Sequence, residues 1–189
     1  MSTPRIILGL DPGLATTGYG VVEQRGNALR SLEHGVVSTP AGFELHHRLS
    51  LAFDQITELL VRFRPEAMAV ESLFFNVNVR TALAVGQARG VALLACSRAG
   101  SSLFEYTPQQ VKQAVVGYGK ADKRQVQEMV RMLLALPEIP RPDDAADALG
   151  VAICHAHTRG VRDGVARALA AQAEAAERRP SSLERRGEG

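Results

Sequence analysis

The chain has 189 residues, 46% hydrophobic and 22% charged, with a formal net charge of +2. That is enough for one domain that buries roughly 70% of its unfolded surface without a disulfide framework. Two cysteines with no CxxC, no apolar run of the ~20 residues a membrane span needs, and no signal-peptide pattern in Met1–Arg5 argue against a secreted scaffold, a cysteine-rich zinc module and a membrane protein. A reducing cytoplasm is the expected compartment.

Ile6–Leu10 is a continuous apolar run stopped by Asp11-Pro12-Gly13, the pattern of a strand buried on both faces. Gly18–Val22 and Ala28–Val37 follow as strands, with a hairpin around Arg25-Gly26-Asn27. From Phe43 to Phe63, apolar residues at Leu45, Leu49, Ala52, Phe53, Ile56, Leu59, Leu60 and Phe63 keep helical spacing, and Pro65 ends that helix. Ala67–Val70 is a short buried strand closing on Glu71. Arg80–Ala99 is predicted as a helix in which Ala82, Gly86 and Gly90, four apart, share a face that another backbone approaches closely. Leu103–Tyr106 is a strand. Thr107-Pro108-Gln109-Gln110 and Asp122–Gln125 each read as a capped helix start, the second helix running to about Leu136. A proline loop (Pro137, Pro140, Pro142) precedes a long helix from about Asp143 to Arg178, with Asp143 as its expected cap; from Pro180 on there is no apolar pattern and a disordered tail is expected. Three strands, helix, strand, helix, strand and further helices make a mixed α/β domain. The expected boundary puts residues 1–160 in that domain and 161–189 in a helical extension and tail.

Charge is segregated. Residues 80–131 hold eight Lys/Arg against three Asp/Glu, while residues 1–79 hold six against eight. A basic middle suits an anionic partner such as nucleic acid, although a solvated helical face would look the same.

Four carboxylates stand at element ends. Asp11 closes the first strand and Glu71 the fourth; Asp144 and Asp147, three apart, share a face in the opening turns of the last helix. Each alone has an ordinary reading as a turn residue, a surface acid or a helix-start acid. Adjacent strand ends and a helix laid across the sheet would gather all four, and a divalent cation would relieve their repulsion. Such hard oxygen donors suit Mg²⁺ or Mn²⁺, and two such ions can drive phosphodiester hydrolysis.

With these residues in place the chain resembles the RuvC family of Holliday-junction resolvases. The likeness is carried by Gly9-Leu10-Asp11-Pro12-Gly13 with Thr17-Gly18-Tyr19-Gly20, by Val70-Glu71-Ser72-Leu73-Phe74, by Gly86-Gln87-Ala88-Arg89-Gly90-Val91, by Val111-Lys112-Gln113 with Val115-Val116-Gly117, and by Asp144-Ala145-Ala146-Asp147-Ala148-Leu149. It spans roughly residues 5–158. It implies an RNase H-like fold, with a five-stranded mixed sheet flanked by helices on both faces. It also implies a homodimer that nicks four-way junction DNA symmetrically, two Mg²⁺ per subunit (Mn²⁺ substituting) on Asp11, Glu71, Asp144 and Asp147, and branch-migration partners of the RuvA and RuvB type. The last acidic position varies between Asp and His in the family, and here it is Asp147. Asp143 leaves a register ambiguity, because Asp143 and Asp147 also share a face; the Asp-Ala-Ala-Asp-Ala-Leu string favours Asp144.

Gly117-Tyr118-Gly119-Lys120-Ala121-Asp122-Lys123-Arg124 is a basic loop feeding a helix N-terminus, where Lys120, Lys123 and Arg124 could meet a phosphate or simply be solvated. By resemblance, Lys112 and Lys123 lie near the scissile phosphate and Phe74 is the aromatic beside the site, placed to stack on an unpaired base. Phe75 fits a core anchor equally well. Arg80 is counted with the DNA contacts. The five histidines form no metal-ligand pattern, and Cys96 and Cys154 read as small buried hydrophobes. Two other functions remain open at this point. One is a junction-binding scaffold without catalysis. The other is an ATP-binding fold whose phosphate loop Leu10-Asp11-Pro12-Gly13 would mimic, although the chain is short for its two domains.

Overall fold

The computed structural model describes residues 3–13, 15–72 and 79–177, the side chains of 79–82 and 161–177 excepted. In chain order the elements are β1 (Arg5–Asp11), β2 (Thr16–Arg25), β3 (Ala28–Ser38), α1 (Leu45–Phe63), β4 (Ala67–Glu71), α2 (Val79–Ala99), β5 (Ser102–Tyr106), α3 (Pro108–Val116), α4 (Lys123–Leu133) and α5 (Asp143–Glu177). The described residues up to 157 form one compact unit and those from 158 on a second.

The sheet runs β3-β2-β1-β4-β5. β1, β2 and β3 form an antiparallel meander; β1, β4 and β5 run parallel. Both faces are covered, as the continuous apolar runs of β1 and β4 require. Leu8, Leu10, Met68 and Val70 face a core completed by Ile56, Leu60, Ala92 and Cys96 from α1 and α2. Ile7, Val22 and Ala69 face the opposite core, completed by Val111, Val130, Leu149 and Ile153 from α3, α4 and α5. Cys96 and Cys154 are both buried. The fold is RNase H-like.

Local chemistry sets the element ends. Gly26, at φ 61°, and Asn27 make the two-residue hairpin loop between Arg25 and Ala28, which pair. Reciprocal capping boxes start α3 (Thr107 with Gln110) and α4 (Asp122 with Gln125), each contributing on the order of 1 kcal/mol. α4 ends at Leu133, not near Leu136: Ala135 takes a left-handed φ of 52° and Leu136 N–H returns to the Arg131 carbonyl, closing the helix as glycine usually does. Asp143 is the first residue of α5 and not its cap; its carboxylate bonds to Arg141 and Lys123 instead. Phe43 lies outside α1 and is exposed, as is Leu45.

The α2 glycines meet no close neighbour among the described residues. No described atom lies within 4 Å of where a Cβ would sit on Gly86 or Gly90, so among the described residues no backbone approaches them. The close approach occurs elsewhere. Gly9 of β1 pairs with Gly20 of β2, and Gly18 lies two residues before Gly20. A Cβ on Gly9 would run into the Ala148 carbonyl, one on Gly18 into the Asp144 carbonyl, and one on Gly20 would lie 2.7 Å from the Leu149 side chain. Three side-chain-free positions on one sheet face thus seat the backbone of α5 directly on β1 and β2.

Candidate active site

Leu10 and Val70 pair across the parallel β1–β4 ladder, so Asp11 and Glu71 are the next residues on neighbouring strands, both at carboxyl ends. Side chains alternate along a strand. Leu10 and Val70 face α1 and α2, so Asp11 and Glu71 turn to the α5 face. Seated on Gly9, Gly18 and Gly20, α5 presents Asp144 and Asp147 to that corner. Oxygens of Asp11, Asp144 and Asp147 lie within 4.8 Å of one another, a span one metal ion can bridge. Among the described residues Asp143 is not in that group. Glu71 lies outside the 4.8 Å group but lines a cavity of about 230 Å³ with Asp147, Lys112, Lys123, Val111 and Val126.

The electrostatics mark an acidic corner short of positive charge. Burial, followed by Glu71, Asp147 and Asp144, pushes Asp11 up to about 7 against the opposing pull of Lys123. Burial and Asp147 raise Glu71, with Lys112 opposing. Burial also raises Asp147, only partly offset by Lys123. The Lys123 ammonium lies 3.2 Å from carboxylate oxygens of both Asp143 and Asp147. Burial lowers its proton affinity, but these two acids outweigh the effect and raise it overall. Carboxylates that raise one another's proton affinity, with only hard oxygen donors on offer, are chemically matched to a divalent cation.

The basic residues divide. Lys112 and Lys123 face the acidic cavity. Lys120 is exposed in the α3–α4 loop, and Arg124 lines a separate groove with Tyr118, Met129 and Met132. Lys123 and Arg124, neighbours in sequence, thus line different cavities. Phe74 and Phe75 lie outside the described residues, as does the Arg80 side chain. Sequence reasoning did not single out Thr16, whose hydroxyl donates to Asp144 Oδ2 at 2.6 Å. The two residues are 128 positions apart, and a threonine at a strand start carries no signal of such a contact.

An RNase H-like sheet with carboxylates gathered at its strand ends and a helix N-terminus laid over them defines a nuclease of the metal-dependent RNase H-like class. Comparison with known proteins narrows this. The family profile described as "Crossover junction endodeoxyribonuclease RuvC" matches residues 7–155. The chain is 59% identical to the crossover junction endodeoxyribonuclease RuvC of Rubrobacter xylanophilus over 172 residues, covering 90% of this chain and 96% of that protein. It is 60% identical to the protein of the same name from Heliobacterium modesticaldum over 153 residues, covering 81% and 94%. Among solved structures, T. thermophilus RuvC in complex with Holliday junction substrate superposes with a TM-score of 0.80 at 41% identity, covering 83% of this chain and 96% of that one. The chain belongs to the RuvC family of crossover junction endodeoxyribonucleases. Membership makes it a metal-dependent junction endodeoxyribonuclease, a hydrolase of phosphodiester bonds acting in recombination and repair, and sets aside the ATP-binding alternative.

Proposed function

We propose that the chain resolves four-way DNA junctions by paired symmetric nicks, with Asp11, Glu71, Asp144 and Asp147 as the ligands of two Mg²⁺ ions per subunit, for which Mn²⁺ may be substituted in assays. The convergence of the Asp11, Asp144 and Asp147 oxygens within 4.8 Å carries this reading, and Glu71 on the wall of the adjoining cavity completes the set. Bound divalent ions would supply the charge that activates water and stabilises the leaving oxygen. The chain's own groups position the strand. Lys112 and Lys123, on the cavity wall, bind the scissile phosphate and offset charge that builds up at it. Lys120 and Arg124 hold a junction arm farther out, and Arg80 joins them. Phe74 stacks on an unpaired base.

The homodimer has structural support. Leu83, Gly86, Gly90 and Leu94 follow one another at three- and four-residue spacing along α2, Leu83 and Leu94 exposed and the glycines open. That stripe suits close helix–helix approach by a second copy. Branch-migration proteins of the RuvA and RuvB type, a cytoplasmic location and a functional boundary near residue 160 complete the proposal. In support, the family match ends at residue 155, and among the described residues no helix is long and apolar enough to cross a membrane.

The test is cleavage of a mobile four-way junction, against linear duplex, by Asp11→Asn, Glu71→Gln, Asp144→Asn and Asp147→Asn. Each should lose nicking in Mg²⁺ and Mn²⁺ while still binding the junction. Loss of binding in all four would overturn the assignment. Wild-type cleavage that is indifferent to metal would overturn it as well.

A further inference from the structure

Strand β2 contributes none of the four carboxylates, yet it holds one of them at two points. Thr16 Oγ1 donates to Asp144 Oδ2 at 2.6 Å, and Gly18, on the same face two residues on, lies under the Asp144 carbonyl. The donor stands on a fixed backbone. Thr16 pairs with Ser38 of β3, Thr39 N–H bonds to the Ala15 carbonyl, and the neighbouring Thr17 hydroxyl bonds to the Gly13 carbonyl at 2.9 Å. A short hydroxyl-to-carboxylate bond is charge-assisted and directional. It engages one carboxylate oxygen and fixes the plane in which the other lies.

We infer that Thr16 is a positioning residue for the metal site: its hydroxyl sets the orientation of the Asp144 carboxylate toward Asp11 and Asp147. The inference rests on the metal-nuclease reading above and deepens it. Groups that orient a metal ligand typically change metal affinity by about 10- to 100-fold when removed, and orientation from a strand is tighter than from a loop. Without the hydroxyl, Asp144 would sample other rotamers and the cluster would open part of the time.

The experiment measures Mn²⁺ binding to the DNA-free protein by calorimetry or by paramagnetic resonance of free Mn²⁺, alongside a thermal melt and nicking as a function of metal concentration. Thr16→Val keeps the branched shape that suits a strand and removes the donor; Thr16→Ser keeps the donor. Thr16→Val should bind Mn²⁺ about 10-fold or more weakly, and excess metal should largely restore its nicking rate. Thr16→Ser should stay within about threefold of wild type. Thr16→Ala is a second donor-free variant should valine disturb the fold. Wild-type Mn²⁺ affinity in folded Thr16→Val or Thr16→Ala would overturn the inference, as would an equal loss in Thr16→Ser, which would make the effect steric. Absence of saturable Mn²⁺ binding in the wild type would instead overturn the metal reading itself, and the role of Thr16 with it.

Discussion

Lys123 bridges Asp147, a member of the acidic cluster, to Asp143, which lies outside it, with Nζ 3.2 Å from an oxygen of each. Arg141 holds the far side of Asp143 at 2.9 Å. Lys123 and Asp143 are both more than one-third exposed, so the bridge adds little stability. Its value is in placing a cation at the mouth of the cavity. Lys123→Met should lower single-turnover nicking at saturating Mg²⁺ by about 100- to 1000-fold, the scale seen when a transition-state donor is removed, with junction affinity changed only a few-fold. A wild-type rate at saturating metal would reduce Lys123 to a counter-ion of the metal-free cluster.

Asp11 gives a pH dependence whose sign follows from its environment. Its carboxyl is pushed up to about 7 from 3.8, by burial first and then by Glu71, Asp147 and Asp144. As pH rises between those two values the unfolded chain sheds the proton while the native state keeps it, so metal-free stability falls across that window and levels off above it. The effect is a few kcal/mol, at about 1.4 kcal/mol per tenfold change in proton affinity. Chelator-treated protein should therefore melt at a lower temperature at pH 8 than at pH 5.5. Asp11→Asn should flatten that slope and melt higher than wild type at pH 8. Added Mn²⁺ should raise the wild-type melting temperature at pH 8 and leave Asp11→Asn nearly unmoved. A steeper slope in Asp11→Asn would refute the assignment.

The glycine seat of α5 predicts a steep cost for a single methyl group. Gly9→Ala and Gly18→Ala each put a Cβ into the backbone of α5, which cannot swing aside as a side chain can. Overpacking of this kind typically costs about 1–3 kcal/mol. Both variants should lower the melting temperature by several degrees and weaken Mn²⁺ binding, Gly18→Ala more so because Asp144 sits directly above it. A Gly18→Ala protein with unchanged metal affinity would show that the seat does not set the site.

On α2 the same substitution should act in the opposite direction. Among the described residues nothing lies where a Cβ would go on Gly86 or Gly90, and alanine is favoured over glycine in a helix by up to about 1 kcal/mol. Gly86→Ala should raise the stability of the isolated protomer. If α2 is the dimer seam, Gly86→Leu should shift sedimentation toward monomer while the protomer stays folded. Retention of a wild-type dimer by Gly86→Leu would move the seam elsewhere.

Much of this was legible in the chain. Each apolar strand that ends on a carboxylate points to that end as a site, and Asp11 and Glu71 stand where that logic puts them. Both capping boxes form as their spacing predicts, because their partners are three residues apart. Legibility ends where contacts are long-range. Helical spacing shows that Gly86 and Gly90 share a face, but not whether this chain's own backbone covers it. Lys123 at a helix start shows where a cation stands, but not that α5, some twenty positions on, brings two acids to it. Gly9, Gly18 and Gly20 belong to a recognisable motif, yet their purpose depends on a helix more than a hundred residues downstream.

The acidic corner draws on position 11 and on positions 144 and 147, nearly the full length of the compact unit. A ribosome releasing this polypeptide from its N-terminus exposes β1 and β4 long before the helix that completes the cluster. Incomplete translation products, or fragments clipped ahead of residue 143, therefore lack two of the four acids proposed to hold the metal. The proposed metal site is thus complete only once α5 has been made and has packed onto the sheet.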